Sequence, residues 1–304
     1  MSIRLNLIAA IRRYGITRTV LMTGKMAGRE VAARYCMMKH RNALQYRNPG
    51  TDDLASIERD FQDAAIPTGE FIVDVRDFGL FQTQMPFSPD YHGGVSSGVW
   101  NEKIMEHYIA YRLLGLSEYG RDDLYVDVAA ACSPWARILR ERLRMQAFAI
   151  DVNISASYRH LNYYRSEDAT RTSFPDSSVR GISLQCAYEM FTGDADIDLI
   201  KEMHRILRPG GRAVIAPLYM HTHYCCYSSP ECWGRGYADK DATEYIHRQS
   251  RSVSSSRKYN VQKLQERVLG AISQLGMGYR VHILRNREEL SPEIYCHFIL
   301  EITK

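Results

Sequence analysis

Short apolar runs alternate with amphipathic stretches from residue 124 onward, and this pattern constrains the fold more than any other feature. Residues 124–129, 147–150, 182–186 and 213–218 each have the composition of a buried strand. Helical periodicity near residues 134–145 and 195–208 lies between them. Strand, helix and strand in this order require right-handed crossovers, so the sequence predicts an α/β fold around a parallel sheet.

The end of the chain departs from this alternation. A helix is predicted over residues 260–275, and two strand-like runs come after it at 279–284 and 295–302. Only a loop separates these two runs, and strands joined without a crossover helix pair in antiparallel fashion. We therefore expect an antiparallel strand at the edge of the sheet.

The first hundred residues are predicted to be mostly helical. Helices are expected over residues 2–14, 25–46, 51–65 and 100–114, a short strand over 71–75 and a loop over 79–98. The turn residues Asn48, Pro49 and Gly50 mark a break between the first two helices and the rest of the chain. The predicted organisation is an α-rich extension over residues 1–98 and a second domain over 99–304, with a lid-like insertion at 219–259.

Composition excludes several classes of protein. Of 304 residues, 45% are hydrophobic and 24% are charged, as in ordinary globular proteins. The longest apolar run, near residues 213–220, is far shorter than the roughly 20 residues of a spanning helix. Seven cysteines form no regular framework, and no apolar segment follows Arg12 and Arg13 to make an export signal. These features predict a cytoplasmic protein.

Charge is distributed unevenly along the chain. Residues 1–48 contain ten Lys and Arg but a single acid, Glu30, whereas the remaining residues carry 29 basic and 34 acidic side chains. A basic segment of this kind predicts an anionic partner, either a polyanion or the inner face of a membrane. The alternative is structural, with the basic helices packed on the body of the protein or across a homodimer.

The first predicted strand is followed by a turn of small residues. Asp127 lies near the end of that strand, and Ala129, Ala131 and Ser133 come next, before Pro134. Ser suits a helix N-cap and Pro the first helical position, so the turn should present backbone N–H groups to a polar ligand. Asp151 ends the next strand, where a carboxylate can accept hydrogen bonds from the two hydroxyls of a ribose.

Two further blocks complete a recognisable pattern. One extends from Asp168 and Ala169 to Ser173-Phe174-Pro175-Asp176, and the other is Ile206-Leu207-Arg208-Pro209-Gly210-Gly211 before a strand. With these blocks in this order, the chain resembles the class I S-adenosylmethionine-dependent methyltransferases. The resemblance implies a Rossmann-like, seven-stranded, mostly parallel sheet with helices on both faces. It also implies S-adenosylmethionine as the cofactor.

The resemblance assigns roles to individual cofactor-binding residues. Asp127, Ala129, Ala131 and Ser133 would surround the methionine end of the cofactor, and Asp151 would bind its ribose. Asp168 and Ala169 would contact the adenine, and Gln185 and Cys186 would lie beside the sulfonium. The family usually has Gly where this chain has Ala129, Ala131 and Ser133.

Candidates for proton transfer lie after the later strands, at the edge where parallel sheets bind ligands. Glu189 follows the fourth strand, and His221 and His223 follow the fifth. The helix that carries Lys103, Glu106 and His107 could cover the pocket. Residues 219–259 are rich in aromatic residues, His and Cys, which fits a lid over an acceptor or a zinc site. They lack the paired Cys spacing of structural zinc sites, so reduced, buried thiols are the alternative.

These residues predict a methyltransferase that acts on the oxygen of a small-molecule acceptor, sugar-like or part of a glycan. N-methylation and an RNA or lipid-linked acceptor are alternatives. A non-catalytic binding module with the same fold is another. A nicotinamide-dependent enzyme is disfavoured because no G-x-G-x-x-G follows a strand.

Overall fold

The computed structural model describes residues 16–304, with side chains from residue 23 onward. The helix predicted over residues 2–14 lies outside this range. The helices, in chain order, are α1 Ile16–Lys39, α2 Thr51–Asp63, α3 Val75–Gln84, α4 Trp100–Leu114, α5 Trp135–Leu143, α6 Ala195–Ile206, α7 Val261–Leu264, α8 Gly270–Gln274 and α9 Arg287–Leu290. A π-helical turn, Gln265–Leu269, joins α7 to α8, and Tyr188–Met190 forms a short 3-10 turn.

Most of the strands form one large sheet. The strands are β1 Thr68–Phe71, β2 Leu124–Val128, β3 Gln146–Asp151, β4 Tyr164–Ser166, β5 Val179–Gln185, β6 Leu207–Ala216, β7 Cys225–Ser228, β8 Thr243–Ile246, β9 Ser256–Lys258, β10 Gly278–Leu284 and β11 Phe298–Thr303. The large sheet has the order β1-β10-β11-β6-β5-β2-β3-β4, and β8-β7-β9 form a second, small sheet. Pairing from β6 through β5, β2 and β3 to β4 is parallel, so the predicted fold class is confirmed.

Two details of the sheet differ from the prediction. The antiparallel strand, β11, lies between β6 and β10 rather than at the edge. The edge is formed by β1, which pairs in parallel with β10 and makes the sheet eight-stranded. This strand begins three residues before the predicted one. Its four residues alternate between exposed and half-buried, which gives a weak sequence signal.

Helix α4 lies in the core rather than on its surface. Ten of its fifteen residues are buried, including Glu102, Lys103, Glu106 and His107. A helix buried on every side carries little amphipathic pattern, and its polar side chains need partners inside the protein. Several of those partners lie near the carboxyl ends of the strands, which ties α4 to the candidate site.

The chain divides into two compact units. One unit comprises residues 49–224 and 258–304 and contains the large sheet, while the other joins residues up to 48 with residues 225–257. Within the second unit, the Tyr46 N–H donates to the carbonyl of Ile246 at 2.9 Å, and the Ile246 N–H donates to that of Leu44 at 2.8 Å. The domain boundary at residue 98 and the lid-like role of residues 219–259 stay predictions.

Among the residues that the structure describes, no helix combines the length and apolarity needed to cross a membrane. Helix α1 is long enough, but its sequence includes Lys25, Arg29, Glu30, Arg34 and Lys39. It also runs through Gly24, where a break was expected. A single Gly in a helix interior costs only about 1 kcal/mol relative to Ala, which does not by itself end a helix.

Candidate active site

A cavity of about 480 Å³ opens at the carboxyl ends of β2, β3 and β5. Four of the eight predicted cofactor residues line it, namely Ala129, Asp151, Asp168 and Ala169. Cys186, Ala187, Met190, Phe191, Thr192 and Ala195 line the other side. The other four predicted residues, Asp127, Ala131, Ser133 and Gln185, are not part of its lining.

The turn after β2 holds an unusual backbone conformation. Ala129 has φ +58°, in the left-handed region that favours Gly. The turn is closed by hydrogen bonds from the Ala130 N–H to the Ile150 carbonyl at 3.0 Å and from the Ser133 N–H to the Ala130 carbonyl at 2.7 Å. The local backbone therefore keeps the geometry for which the family uses Gly, although Ala stands at this position.

Replacing Ala129 by Gly should stabilise the free protein. A non-Gly residue in the left-handed region costs about 1–2 kcal/mol, and the substitution removes this strain. Part of the gain is lost because Gly has a larger conformational entropy in the unfolded state. We expect Ala129→Gly to raise the free energy of unfolding by about 0.5–1 kcal/mol, measured by chemical denaturation. Ala136→Gly, inside helix α5, is the matched control and should destabilise. A loss of stability in Ala129→Gly would contradict the strained geometry.

Asp151 connects the two loops on this side of the cavity. Its Oδ2 accepts a hydrogen bond from the Ala131 N–H at 3.2 Å, and its Oδ1 accepts one from the Asn153 N–H at 2.7 Å. The carboxylate thus fixes the turn after β2 as well as the loop after β3. A carboxylate oxygen can accept more than one hydrogen bond, so both oxygens can also serve a ligand in the cavity.

The loop with Asp168 forms the next part of the wall. Asp168 is exposed, and its Oδ1 accepts hydrogen bonds from the Thr170 N–H at 2.9 Å and the Thr170 hydroxyl at 2.8 Å. These bonds lower the pKa of the Asp168 carboxyl and keep it ionised. Ala169 beside it is buried.

Two side chains of helix α6 hold the segment that follows the Asp168 loop. The Arg205 guanidinium donates to Asp176 at 2.6 Å and to the Phe174 carbonyl at 2.9 Å. Glu202 on the same helix accepts a hydrogen bond from the Thr172 N–H at 2.7 Å. Helix α6 therefore anchors the segment that comes after the Asp168 loop, and the two blocks form one structural feature.

Asp127 has the most unusual environment of the predicted cofactor residues, although it does not line the cavity. Its side chain is fully buried, and neither carboxylate oxygen has a hydrogen-bond partner in the part of the chain that the structure describes. Burial raises the pKa of Asp127 to about 8, and the negative charge of Asp151 adds to the rise. A buried carboxylate without a partner is costly, so the site favours a cationic or hydrogen-bond-donating ligand here.

This carboxyl should make the stability of the free protein depend on pH. The pKa of Asp127 is higher in the folded state than the ordinary value of 3.8, so only the folded state holds the proton between these two values. Stability is then full at low pH and falls as the pH rises towards 8. We expect a loss on the order of 2–5 kcal/mol between pH 5 and pH 8 in the free wild type.

The Asp127→Asn variant should show a much flatter dependence, because its amide stays neutral throughout. Chemical denaturation of the free protein at both pH values measures this difference. Asp122→Asn removes an exposed carboxyl before the same strand and serves as the control. If the wild type and Asp127→Asn lost the same stability, Asp127 would not be the responsible group.

The predicted proton acceptors lie in two places. Glu189 sits on the Tyr188–Met190 turn directly after β5, is 8% exposed, and its Oε2 has no hydrogen-bond partner among the described residues. Its Oε1 lies 3.8 Å from the Cys186 thiol. His221 and His223 lie after β6 with ring centroids 4.4 Å apart, and neither lines the cavity. Their predicted roles, and that of zinc, stay predictions.

Two other predicted residues make polar contacts within the protein. Gln185, half-buried at the end of β5, donates from Nε2 to the Ser183 hydroxyl at 2.6 Å. His107 is buried, with its Nε2 3.0 Å from the Tyr91 hydroxyl and its ring stacked on Phe87. Burial lowers the pKa of His107, so the ring is neutral at physiological pH. His107 is thus a packed core residue, and the predicted role of Gln185 stays a prediction.

The comparisons with known proteins agree with this geometry. The family model described as "Methyltransferase domain" matches residues 126–215, from β2 to the end of β6. The segment from β2 to β6 is therefore a methyltransferase domain, and methyl transfer is the activity that it supports. No curated protein matches the sequence of this methyltransferase.

Solved structures similar to the methyltransferase are distant from it in sequence. A Burkholderia thailandensis 1,6-didemethyltoxoflavin-N1-methyltransferase, with bound 1,6-didemethyltoxoflavin and S-adenosylhomocysteine, is 12% identical. The match covers 78% of this chain and 92% of that one, with a TM-score of 0.46. An S-adenosylmethionine-dependent methyltransferase from Mesorhizobium loti is 14% identical, with 66% and 98% coverage and a TM-score of 0.41.

The methyltransferase domain implies S-adenosylmethionine as the cofactor, and the residues present fit it. The partnerless Asp127 carboxylate suits an ammonium group, and the Asp151 carboxylate suits ribose hydroxyls. When bound, the cofactor supplies an electrophilic methyl group. Asp127 and Asp151 would hold the cofactor through its ammonium group and its ribose hydroxyls.

Several residues around this site have no signal in the sequence. Tyr219 lies just after β6, Tyr295 precedes β11, and both phenols lie close to the Cys186 thiol. Tyr219 lies more than 30 positions from Cys186 in the sequence, and Tyr295 lies more than 100 positions from it. No motif marks either tyrosine. Only the expectation that later strands end at the same edge of the sheet could have suggested them.

Proposed function

We propose that this methyltransferase transfers its methyl group to a hydroxyl of a small, sugar-like acceptor, either free or at the end of a glycan. The observation that carries the proposal is the buried Glu189 carboxylate, with one oxygen that lacks a hydrogen-bond partner among the described residues. The residues on either side of its turn, Ala187 and Met190, line the cavity assigned to the cofactor.

A hydroxyl acceptor needs what Glu189 can provide. An alcohol is a weak nucleophile until a base takes its proton, and a carboxylate within hydrogen-bond reach orients the hydroxyl and accepts that proton. The partnerless oxygen of Glu189 would accept the hydroxyl hydrogen bond, which also relieves the cost of burying it.

The identity of the methylated atom is the direct test. The full-length protein is incubated with S-adenosylmethionine labelled with carbon-13 in the methyl group and with a panel of methyl glycosides, phenols and primary amines. The carbon chemical shift of the product distinguishes an O-methyl from an N-methyl group. We expect O-methyl products with the glycosides. Transfer to the amines alone would overturn the proposal.

We also propose that residues 1–48 contact an anionic surface, such as the inner face of a membrane on which the acceptor is presented. Helix α1 supports this with exposed apolar side chains on one face, namely Val31, Tyr35 and Met38, flanked by Arg34 and Lys39. Each cation near an anionic surface contributes about 1 kcal/mol at ordinary ionic strength, and salt screens it.

Co-sedimentation with vesicles of phosphatidylserine and phosphatidylcholine tests the membrane proposal. We expect binding at low salt, release at high salt, and at least a tenfold weaker partition for the charge reversals Arg29→Glu and Lys39→Glu combined. Arg121→Glu combined with Arg142→Glu reverses two exposed cations of the other unit and should bind like the wild type. If the two double variants bound equally, the membrane proposal would be wrong. Residues 1–48 would then have a structural role, including one across a homodimer.

A further inference from the structure

Three polar side chains converge where β5 and β6 end and β11 begins. The Cys186 Sγ lies 3.1 Å from the Tyr219 hydroxyl and 3.7 Å from the Tyr295 hydroxyl. Cys186 also lines the cavity assigned to the cofactor, and its backbone has φ +51°. A non-Gly residue in the left-handed region is a strained feature of the kind that clusters at functional sites. Cys186 thus borders the cofactor cavity and also contacts the two phenols.

The two tyrosines form an aromatic surface, which we call the tyrosine platform. Their ring planes are inclined by only 24°, with centroids 6.3 Å apart. The Lys258 ammonium lies 3.6 Å from the centre of the Tyr219 ring, and Tyr295 is 39% exposed. The Tyr295 ring can therefore accept another ring against it, since aromatic faces pack well on flat apolar surfaces.

Charged groups of both signs lie around the platform. The Lys103 ammonium is bound to both oxygens of Glu106, at 2.7 and 3.0 Å. Lys258 lies on the Tyr219 ring. The Glu189 carboxylate stands beside Cys186. A phosphate or carboxylate on a ligand is normally held by cations that are available to pair with it. Lys103 is paired with Glu106, whereas Lys258 keeps its charge against the Tyr219 ring and Arg287 donates to the Tyr295 carbonyl at 3.3 Å. The Glu189 carboxylate, on the side of the reacting atom, would repel an anion.

A buried carboxylate holds the segment that carries Tyr295. The Oε2 of Glu102 accepts hydrogen bonds from the Tyr295 N–H at 2.8 Å and the Cys296 N–H at 3.1 Å. Helix α4 therefore fixes the backbone of the platform, while the Lys103–Glu106 pair on the same helix lies under it. A platform that is fixed before the ligand arrives loses little entropy on binding.

We propose that Tyr219 and Tyr295 bind the acceptor of this methyltransferase and that they select an uncharged ring. The ring packs on the tyrosine platform, the phenols donate to or accept from its polar groups, and its reacting atom faces Glu189 across Cys186. Phosphorylated or carboxylated rings are excluded. The inference rests on the proposed function, because it places the acceptor on the Glu189 side of the cofactor cavity.

Ligand binding tests the platform without depending on turnover. Saturation-transfer NMR is recorded on the full-length protein loaded with S-adenosylhomocysteine. The neutral probes are methyl glucoside and phenol, and the anionic probes are glucose 6-phosphate and phenyl phosphate. We expect signals from at least one neutral probe and none from the phosphate esters. Tyr295→Ala should weaken binding at least tenfold and leave the affinity for S-adenosylhomocysteine within twofold.

Two further variants refine the test. Tyr219→Phe keeps the ring and removes only the hydroxyl, so it should weaken binding less than Tyr295→Ala. Tyr279→Ala removes a tyrosine at the amino end of β10, at the opposite edge of the sheet, and should bind like the wild type. The proposal is overturned if no neutral probe binds, if the phosphate esters bind as well, or if Tyr295→Ala binds normally.

The experiments distinguish a failure of the tyrosine platform from a failure of the proposed function. Methylation of nitrogen in the carbon-13 experiment would overturn O-methylation while leaving the tyrosine platform intact. Methylation of oxygen together with normal binding by Tyr295→Ala would overturn the platform and leave the proposed function intact.

Discussion

Glu189→Gln should lose almost all methyl transfer to a hydroxyl acceptor while it keeps its fold and its cofactor. Gln has nearly the same volume and can still receive the hydroxyl hydrogen bond, but it is too weak a base to take the proton. General-base catalysis contributes about 10²–10⁴-fold, so we expect kcat to fall by a factor in this range. Rapid-quench measurement of the methylated product under single-turnover conditions gives the rate of the transfer itself.

The matched control is Glu141→Gln, which makes the same change on an exposed face of α5 and should leave kcat unchanged. Calorimetric titration with S-adenosylhomocysteine should give both variants the affinity of the wild type. A Glu189→Gln enzyme that keeps at least a third of the wild-type kcat would show that another group takes the proton. His221 and His223 would then be the next candidates.

Asp151→Ala should weaken cofactor binding by about 1.5–3 kcal/mol, which is roughly a 10- to 150-fold higher dissociation constant. The loss has two sources, because the carboxylate would bind the ribose and also fixes the N–H groups of Ala131 and Asn153. Asp151→Asn keeps one acceptor oxygen and should lose less. Titration calorimetry with S-adenosylhomocysteine measures all three proteins.

Asp122→Asn, at an exposed position before the amino end of β2, is the control for loss of a negative charge away from the site. Asp168→Ala should also bind the cofactor more weakly and should keep its fold, because Asp168 lies on an exposed loop. If Asp151→Ala, correctly folded by circular dichroism, bound S-adenosylhomocysteine as tightly as the wild type, the ribose would have to bind elsewhere.

The parts of the fold that sequence predicts well are those with local signals. The apolar runs of β2, β3, β5 and β6 are continuous because both faces of these strands are covered, and the helices between them keep a helical period. Pro209 and Gly210 were expected to end helix α6, and they stand instead within β6. This pattern is enough to predict the parallel sheet and the edge at which ligands bind.

Other features depend on contacts between distant residues and leave no local pattern. β1 belongs to the sheet only because β10, more than 200 residues later, offers it a free edge. Helix α3 was expected to be part of a loop, yet the Asp74 carboxylate caps it by accepting from the Asp77 N–H at 2.9 Å. The buried Glu102 of α4 likewise leaves no local pattern, since its partners are the distant N–H groups of Tyr295 and Cys296.

The compact unit made of residues up to 48 and residues 225–257 has a practical consequence for anyone who re-engineers this enzyme. The Tyr46 ring lies 4.5 Å from that of Tyr227, and the main chain around it is bonded to Ile246. Neither segment can be transferred on its own, since each supplies the other with hydrogen bonds and ring contacts. A chimera that includes this unit has to include both segments. A truncation that removes one segment leaves the polar groups and rings of the other without their partners.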